Sequence, residues 1–238
     1  MPGLVLFDID GTLLLTKRAG MEALRQAGVD LFGDQFTDEG VEYAGCIDVL
    51  IVRALLERNG VEPSPDHCAA LRAGYHKHLQ PRLAESGRAY ALPGAIDLVH
   101  AVRQHDDLVC GLLTGNFAET GTLKLNAAGY DADWFSLKVW GDDSPHDPPS
   151  RNHLPGVAMQ RMVEHAGDGV DPSHCVIVGD TPHDVMCAKA HGMRCVGVAT
   201  GGSSVADLAE AGADIVVESL QETQRLLSAL LSPQSAQV

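Results

Sequence analysis

Apolar positions follow two different periods along the chain. Leu4, Val5, Leu6, Phe7 and Ile9 form a run broken only by Asp8, which predicts a short, fully buried strand like those in the middle of a parallel sheet. Similar runs stand at residues 108–113, 175–178, 195–198 and 215–217, with one interrupted by Lys138 at 137–140. Helical spacing fills the gaps. Ile96, Leu98, Val99 and Val102 predict one helix, and a second runs to about residue 128 before Gly129. Leu154, Val157, Ala158 and Met162 predict a third that starts near Pro155, and a short one ends at Gly192. Leu220, Leu226, Leu227, Leu230 and Leu231 predict a last helix. Strands alternating with helices define an α/β fold with a parallel, Rossmann-like sheet.

Residues 16–88 break the alternation and contain no strand pattern. Met21, Leu24 and Ala27 share one face of a helix expected over residues 17–28, with Gly28 as its stop. Ile47, Leu50, Ile51, Ala54 and Leu55 predict a second helix, with Asp48 in its first turn and Asn59-Gly60 at its end. A third is expected over residues 67–79, after Pro63 and Pro65. The chain therefore divides into an α/β core, residues 1–15 and 89–238, and an all-helical insertion, residues 16–88. The polar last few residues are expected to fray.

Composition narrows the function. With 238 residues, 45% of them apolar, the chain can bury a large core. The net charge of -15 argues against nucleic acid and anionic membrane surfaces as partners. An anionic substrate then needs a local cation to hold it. No apolar run approaches the ~18 residues of a membrane span, and the N-terminus lacks the basic and apolar regions of a signal peptide. The six cysteines form no C-x-x-C pair, so a reduced, cytoplasmic location is expected.

Three strand ends carry the candidate chemistry: Asp8 and Asp10 with Gly11-Thr12 after the first, Thr114-Gly115-Asn116 after the second, and Asp180 with Asp184 after the fourth. C-terminal strand ends are where α/β folds place their sites. Arg151 follows in a loop after the third strand. Singly, each has an ordinary reading, as a helix cap, a turn or a solvated charge. Jointly they point to function. Strand alternation puts Asp8 and Asp10 on one side. Two carboxylates ~4 Å apart repel by about 4 kcal/mol at an effective dielectric of ~20. Convergence of Asp8, Asp10 and Asp180 therefore calls for a hard divalent ion such as Mg²⁺, which takes oxygen ligands and neutralises phosphate. Thr114, Asn116 and the backbone N–H groups of a helix N-terminus suit an anion, and Arg151 adds a fixed positive charge.

With these motifs, Asp8-Ile9-Asp10-Gly11-Thr12-Leu13, Leu112-Leu113-Thr114-Gly115-Asn116 and Gly179-Asp180-Thr181-Pro182-His183-Asp184-Val185, the chain resembles the haloacid dehalogenase-like hydrolases, most closely phosphatases of the phosphoglycolate phosphatase type. The resemblance implies Asp8 as nucleophile and Asp10 as general acid and base. It implies Mg²⁺ held by the Asp8 side chain, the Asp10 backbone carbonyl and Asp180, with Asp184 and Thr12 in support. Thr114, Gly115, Asn116 and Arg151 would hold the phosphoryl group of a small phosphate ester, in a monomer or homodimer. Many members carry Lys-Pro where Arg151-Asn152 stands, and Lys138 is the alternative base. Leu15 stands where relatives often have a carboxylate. Residues 16–88 correspond to a helical cap that closes over the site. A cap loop often written Gly-Arg-Thr-Asp corresponds to Gly45-Cys46-Ile47-Asp48, without its basic residue, which argues against glycolate phosphate as substrate. Tyr75, His76 and His78 are ordinary exposed helix residues on the favoured reading and cleft residues on the other. Three rivals stand beside a phosphatase: a phosphomutase using the same two acids, a metal-free dehalogenase, disfavoured by Asp10, and a non-catalytic binding protein, disfavoured because every acid is present.

Overall fold

The computed structural model describes residues 2–167 and 170–232, and the expected fraying of the polar tail falls on residues outside these. Six parallel strands form the sheet, in the order β5 (Leu137–Val139), β4 (Leu108–Leu113), β1 (Gly3–Phe7), β6 (Cys175–Gly179), β7 (Arg194–Val198) and β8 (Ile215–Val217). β1 is central, with Val5 opposite Cys110 of β4 and Val176 of β6. Its side chains alternate between two cores. Val5 and Phe7 face α4 (Ala95–Arg103), α5 (Ala118–Ala127) and α9 (Thr223–Leu231), through Leu98, Leu125 and Leu226. Leu4 and Leu6 face α6 (Leu154–Ala166), α7 (Pro182–Lys189) and α8 (Val205–Glu210), through Ala158, Val185 and Leu208. Burial on both faces is why this strand reads as a continuous apolar run. The chain reaches β4 and β5 on one side of β1 and returns to β6 on the other. The crevice at the strands' carboxyl ends is therefore a topological switch point.

The helical insertion consists of α1 (Ala19–Phe32), α2 (Asp48–Arg58) and α3 (Pro65–Leu83). They enclose a third apolar cluster that includes Leu24, Leu55, Leu71, Tyr75 and Leu79, and Phe117 joins it from the α/β side. A two-stranded antiparallel ribbon, β2 (Leu14–Leu15) against β3 (Tyr90–Ala91), ties together the chain entering and leaving this unit. At the entry Lys17 and Arg18 hold φ angles of 45° and 66°, a left-handed conformation costly for side chains with a Cβ.

Three boundaries and one helix, α8, differ from the sequence expectation. β1 ends at Phe7, and Asp8 already belongs to the turn. α1 does not stop at Gly28 but at Gly33, with φ 98°. Gly28 lies inside the helix, where it leaves room for the Phe36 ring: a Cβ there would stand 2.1 Å from it. α3 continues to Leu83, past Pro81 in its last turn, and Leu83 joins the buried cluster. α8 has too few apolar positions to show a period. Its signal is a capping box, Ser204 with Asp207. Replacing Gly28 by Ala is expected to destabilise the chain by about 1–3 kcal/mol through overpacking against Phe36. Urea unfolding measures it, and an unchanged midpoint would mean that the Phe36 ring does not pack closely on Gly28.

Candidate active site

The turns after β1 and β6 bring three buried carboxylates together. One oxygen each from Asp8, Asp180 and Asp184 lies within 4.8 Å of the others. Thr12 Oγ1 donates to Asp180 Oδ1 at 3.1 Å. Backbone closes around the same carboxylate: a Cβ on Gly11, whose φ is 81°, would stand 2.3 Å from Asp180 Oδ2, and one on Gly201 1.7 Å from it. Asp184 is saturated differently. Its Oδ2 accepts from Thr181 N at 3.1 Å and Thr181 Oγ1 at 2.7 Å, the capping box of α7, and its Oδ1 accepts from Arg151 at 2.5 Å.

Arg151 is not a solvated loop charge. It sits on a 3₁₀ turn leading into α6 and is 7% exposed. The same guanidinium nitrogen that meets Asp184 lies 3.3 Å from Asp8 Oδ2. Lys138, in the middle of β5, pairs instead with exposed Asp133 at 3.3 Å and is not the basic residue of this cluster. One guanidinium balances one of three carboxylates. Burial, opposed by Arg151 and reinforced by Asp184, raises the Asp8 carboxyl to about 6. Burial together with Asp184 and Asp8 raises Asp180 to about 8. A compact, oxygen-only, under-neutralised donor set with a backbone cradle fits a hard divalent cation. Because Asp184 has its oxygens engaged, Asp8 and Asp180 are the side chains left to hold it.

The Asp10 carboxylate does not join this cluster, contrary to the convergence expected of Asp8, Asp10 and Asp180. Asp8 lies beyond the end of the strand, so strand alternation does not govern the pair. Asp10 Oδ2 instead accepts from Lys124 Nζ at 2.6 Å and from Asn116 Nδ2 at 2.8 Å. Asn116 also reaches Thr114 Oγ1 at 2.8 Å, and its Oδ1 accepts from Lys124 at 2.6 Å. Burial alone would favour a neutral Lys124 amine. Asp10, Tyr75 and Asp48 outweigh it and hold the ammonium charged. Lys124 was not among the residues singled out in the sequence. It lies eight residues beyond Asn116, about two helical turns, and nothing local marks it.

The N-terminus of α5 was expected to offer backbone N–H groups to an anion. The anion there is Asp48 of the helical unit: its Oδ2 accepts from Phe117 N at 2.9 Å, while Asp48 N donates to Gly115 O at 2.7 Å. Burial raises the Asp48 carboxyl to about 6, with Lys124 opposing. The contact demands Gly115, because a Cβ there would stand 2.1 Å from Cys46 O. Gly45 likewise admits His183, whose ring a Cβ would meet at 2.4 Å. The loop from Gly45 to Asp48 is thus seated on the α/β core. Of the helical-unit residues considered, Tyr75 is buried and lines the cavity, whereas His78 pairs with Asp30 at 2.8 Å. The cavity between the two units has a volume of 590 Å³, with Asp8, Asp10, Thr114, Arg151 and Asp180 on one wall and Met21, Leu24, Ile51 and Tyr75 on the other. Thr114 Oγ1 accepts from Asn116, which leaves its hydroxyl hydrogen for a ligand oxygen.

Comparison with known proteins agrees with this geometry. The HAD-hydrolase-like family matches residues 154–223. A phosphoglycolate phosphatase of Nitrosospira multiformis is 29% identical over 226 residues, covering 94% of each chain. A validoxylamine A 7'-phosphate phosphatase of Streptomyces hygroscopicus is 28% identical, covering 92% of this chain and 94% of its own. CbbY of Rhodobacter sphaeroides, solved in complex with phosphate, superposes with a TM-score of 0.74 at 23% identity, covering 93% of this chain and 96% of its own. The chain is thus similar to haloacid dehalogenase-like proteins over nearly its whole length, and a phosphoglycolate phosphatase is among the relatives it resembles. Among the described residues no helix is long and apolar enough to cross a membrane.

The raised carboxyls give a stability signature. Asp8 and Asp180 have folded values above the usual carboxylate range near 4, so the folded chain holds protons that the unfolded chain has released. The stability they contribute is present below about pH 4 and is lost as pH rises through about 6 and about 8. Mg²⁺, by taking the place of those protons, is expected to raise the melting temperature more at about pH 8 than at about pH 5. Thermal unfolding in EDTA and in excess Mg²⁺ tests this, and an equal or absent Mg²⁺ effect at both pH values would contradict it.

Proposed function

We propose that this protein is a Mg²⁺-dependent phosphatase that hydrolyses a small phosphate monoester through a phosphorylated Asp8. The observation that carries the reading is the buried, under-neutralised Asp8–Asp180–Asp184 cluster with Arg151 against it, beside a 590 Å³ cavity that Asp8, Arg151 and Asp180 line. In the first step Asp8 attacks phosphorus and the bond from phosphorus to the ester oxygen breaks, the departing oxygen taking a proton from Asp10. In the second, Asp10 takes a proton from water, the water oxygen bonds to phosphorus, and the Asp8 carboxylate is released with free phosphate. Arg151 and the Thr114 hydroxyl steady the phosphoryl oxygens, and Asp184 and Thr12 orient Arg151 and Asp180. Asp8 and Asp180, with the Asp10 backbone, would hold Mg²⁺, which supplies charge neutralisation for the phosphoryl group.

Residues 16–88 act as the cap on this reading, and their seating over the crevice supports it. The 590 Å³ cavity, with its apolar and tyrosine-bearing wall, suits a leaving group larger than glycolate. The absence of a cation at Cys46 points the same way. That the relatives' printed substrates range from phosphoglycolate to validoxylamine A 7'-phosphate is consistent with a cap that sets the choice.

A panel of phosphate esters assayed for free phosphate tests the proposal and separates hydrolase from phosphomutase. Turnover is expected with Mg²⁺, to stop with EDTA, and to return on adding Mg²⁺ back. Asp8→Asn is expected to remove it with the fold intact, and Asp10→Asn to lower it by about 10²–10⁴-fold. Full activity in Asp8→Asn, or turnover indifferent to EDTA, would refute the mechanism.

A further inference from the structure

The two-step mechanism leaves one buried cation of the cavity wall unused. Lys124 places its ammonium 2.6 Å from Asp10 Oδ2 and 2.6 Å from Asn116 Oδ1, with its side chain 7% exposed. Asn116 Nδ2 donates to the same Asp10 oxygen at 2.8 Å. Asp10 Oδ2 is therefore fixed by two donors that are themselves joined, a closed triangle. Among the described residues no hydrogen bond is made to Asp10 Oδ1, which is left to exchange a proton. The helical unit closes the other side: a Cβ on Gly20 of α1 would stand 3.1 Å from the Tyr75 hydroxyl and 3.7 Å from Lys124 Nζ. A desolvated ammonium is held firmly to its carboxylate, since any excursion leaves a charge unpaired.

From this arrangement we propose that Lys124 is a positioning residue for proton delivery. It pins one oxygen of Asp10 so that the other meets the departing ester oxygen. The inference rests on the phosphatase reading and extends it to a residue that touches neither phosphorus nor the proposed cation ligands of Asp8 and Asp180. It predicts a dependence on leaving group. An alkyl alkoxide departs only if protonated, whereas p-nitrophenolate departs without a proton. A defect in proton delivery therefore penalises the alkyl ester selectively, and kcat/KM, which covers the steps up to leaving-group departure, reports it.

The experiment compares wild type and Lys124→Met on glycerol phosphate and p-nitrophenyl phosphate with Mg²⁺ present. Lys124→Met is expected to lose about 10²-fold in kcat/KM on the alkyl ester and at least about tenfold less on the nitrophenyl ester. Adding Lys124→Met to Asp10→Asn is expected to cost little beyond Asp10→Asn alone, because the two act as one unit. Equal losses on both esters, or losses that multiply in the double variant, would overturn the proposal. Where another alkyl ester of the panel is turned over faster it replaces glycerol phosphate in the comparison, and wild type releasing phosphate from no ester of the panel would instead refute the phosphatase reading. Melting curves check folding. If Lys124→Met does not fold, Lys124→Gln, which retains a donor toward Asp10, is read in the same assays. It is expected to show a smaller loss with the same selectivity, and a loss without selectivity overturns the proposal equally.

Discussion

The structure is governed by negative charge collected where water is scarce. Asp8, Asp180 and Asp184 meet at the carboxyl ends of β1 and β6 with a single guanidinium among them. Burial of uncompensated carboxylates is expensive, and the raised carboxyls of Asp8 and Asp180 express that cost. The sheet can hold such a cluster because β1 is anchored on both sides by parallel partners and on both faces by helices. The frame cannot relax to let the acids part. On the proposed function a dication relieves that cost, and together with Arg151 it would attract phosphate.

A second charge system borders the same cavity and has a different logic. Asp10, Asn116 and Lys124 are mutually satisfied, so they need no ion. Asp48 extends the system from the helical unit by capping the otherwise uncapped start of α5, the helix that carries Lys124. Seating of residues 45–48 on the core and placement of the Asp10 partners are thus parts of one polar network. The close approaches at Gly20, Gly45 and Gly115 show how tightly it is packed. The proposed division of labour follows: one carboxylate group handles phosphorus and metal, the other handles protons.

Much of this was legible in the sequence, for local reasons. Strand runs ending in Asp8 and Asp180 are visible because a doubly buried strand and its polar terminus are contiguous in the chain. Asp184 is legible because a capping box sits at fixed spacing. Arg151 is placed by its order along the chain, but its burial is not, since a polar loop gives no hint that Asp8 and Asp184 lie beneath it. Lys124 was invisible: its partner Asp10 is 114 residues away, and a lysine in a helix reads as solvated. The occupation of the α5 N-terminus by Asp48 was equally hidden, because only the folded chain brings α2 to α5. Gly28 shows the converse failure: a glycine read as a stop is a packing site under Phe36.

The most direct measurement is to mix the protein with Mg²⁺ and a phosphate ester it turns over, quench in acid within the first turnover, and map the modified peptide by mass spectrometry. The account predicts one added phosphoryl group on the peptide containing Asp8, located at Asp8 by fragmentation and removed by hydroxylamine, as an acyl phosphate is. A phosphoryl group found on any other side chain, or turnover with none trapped on Asp8 at any quench time, would contradict it.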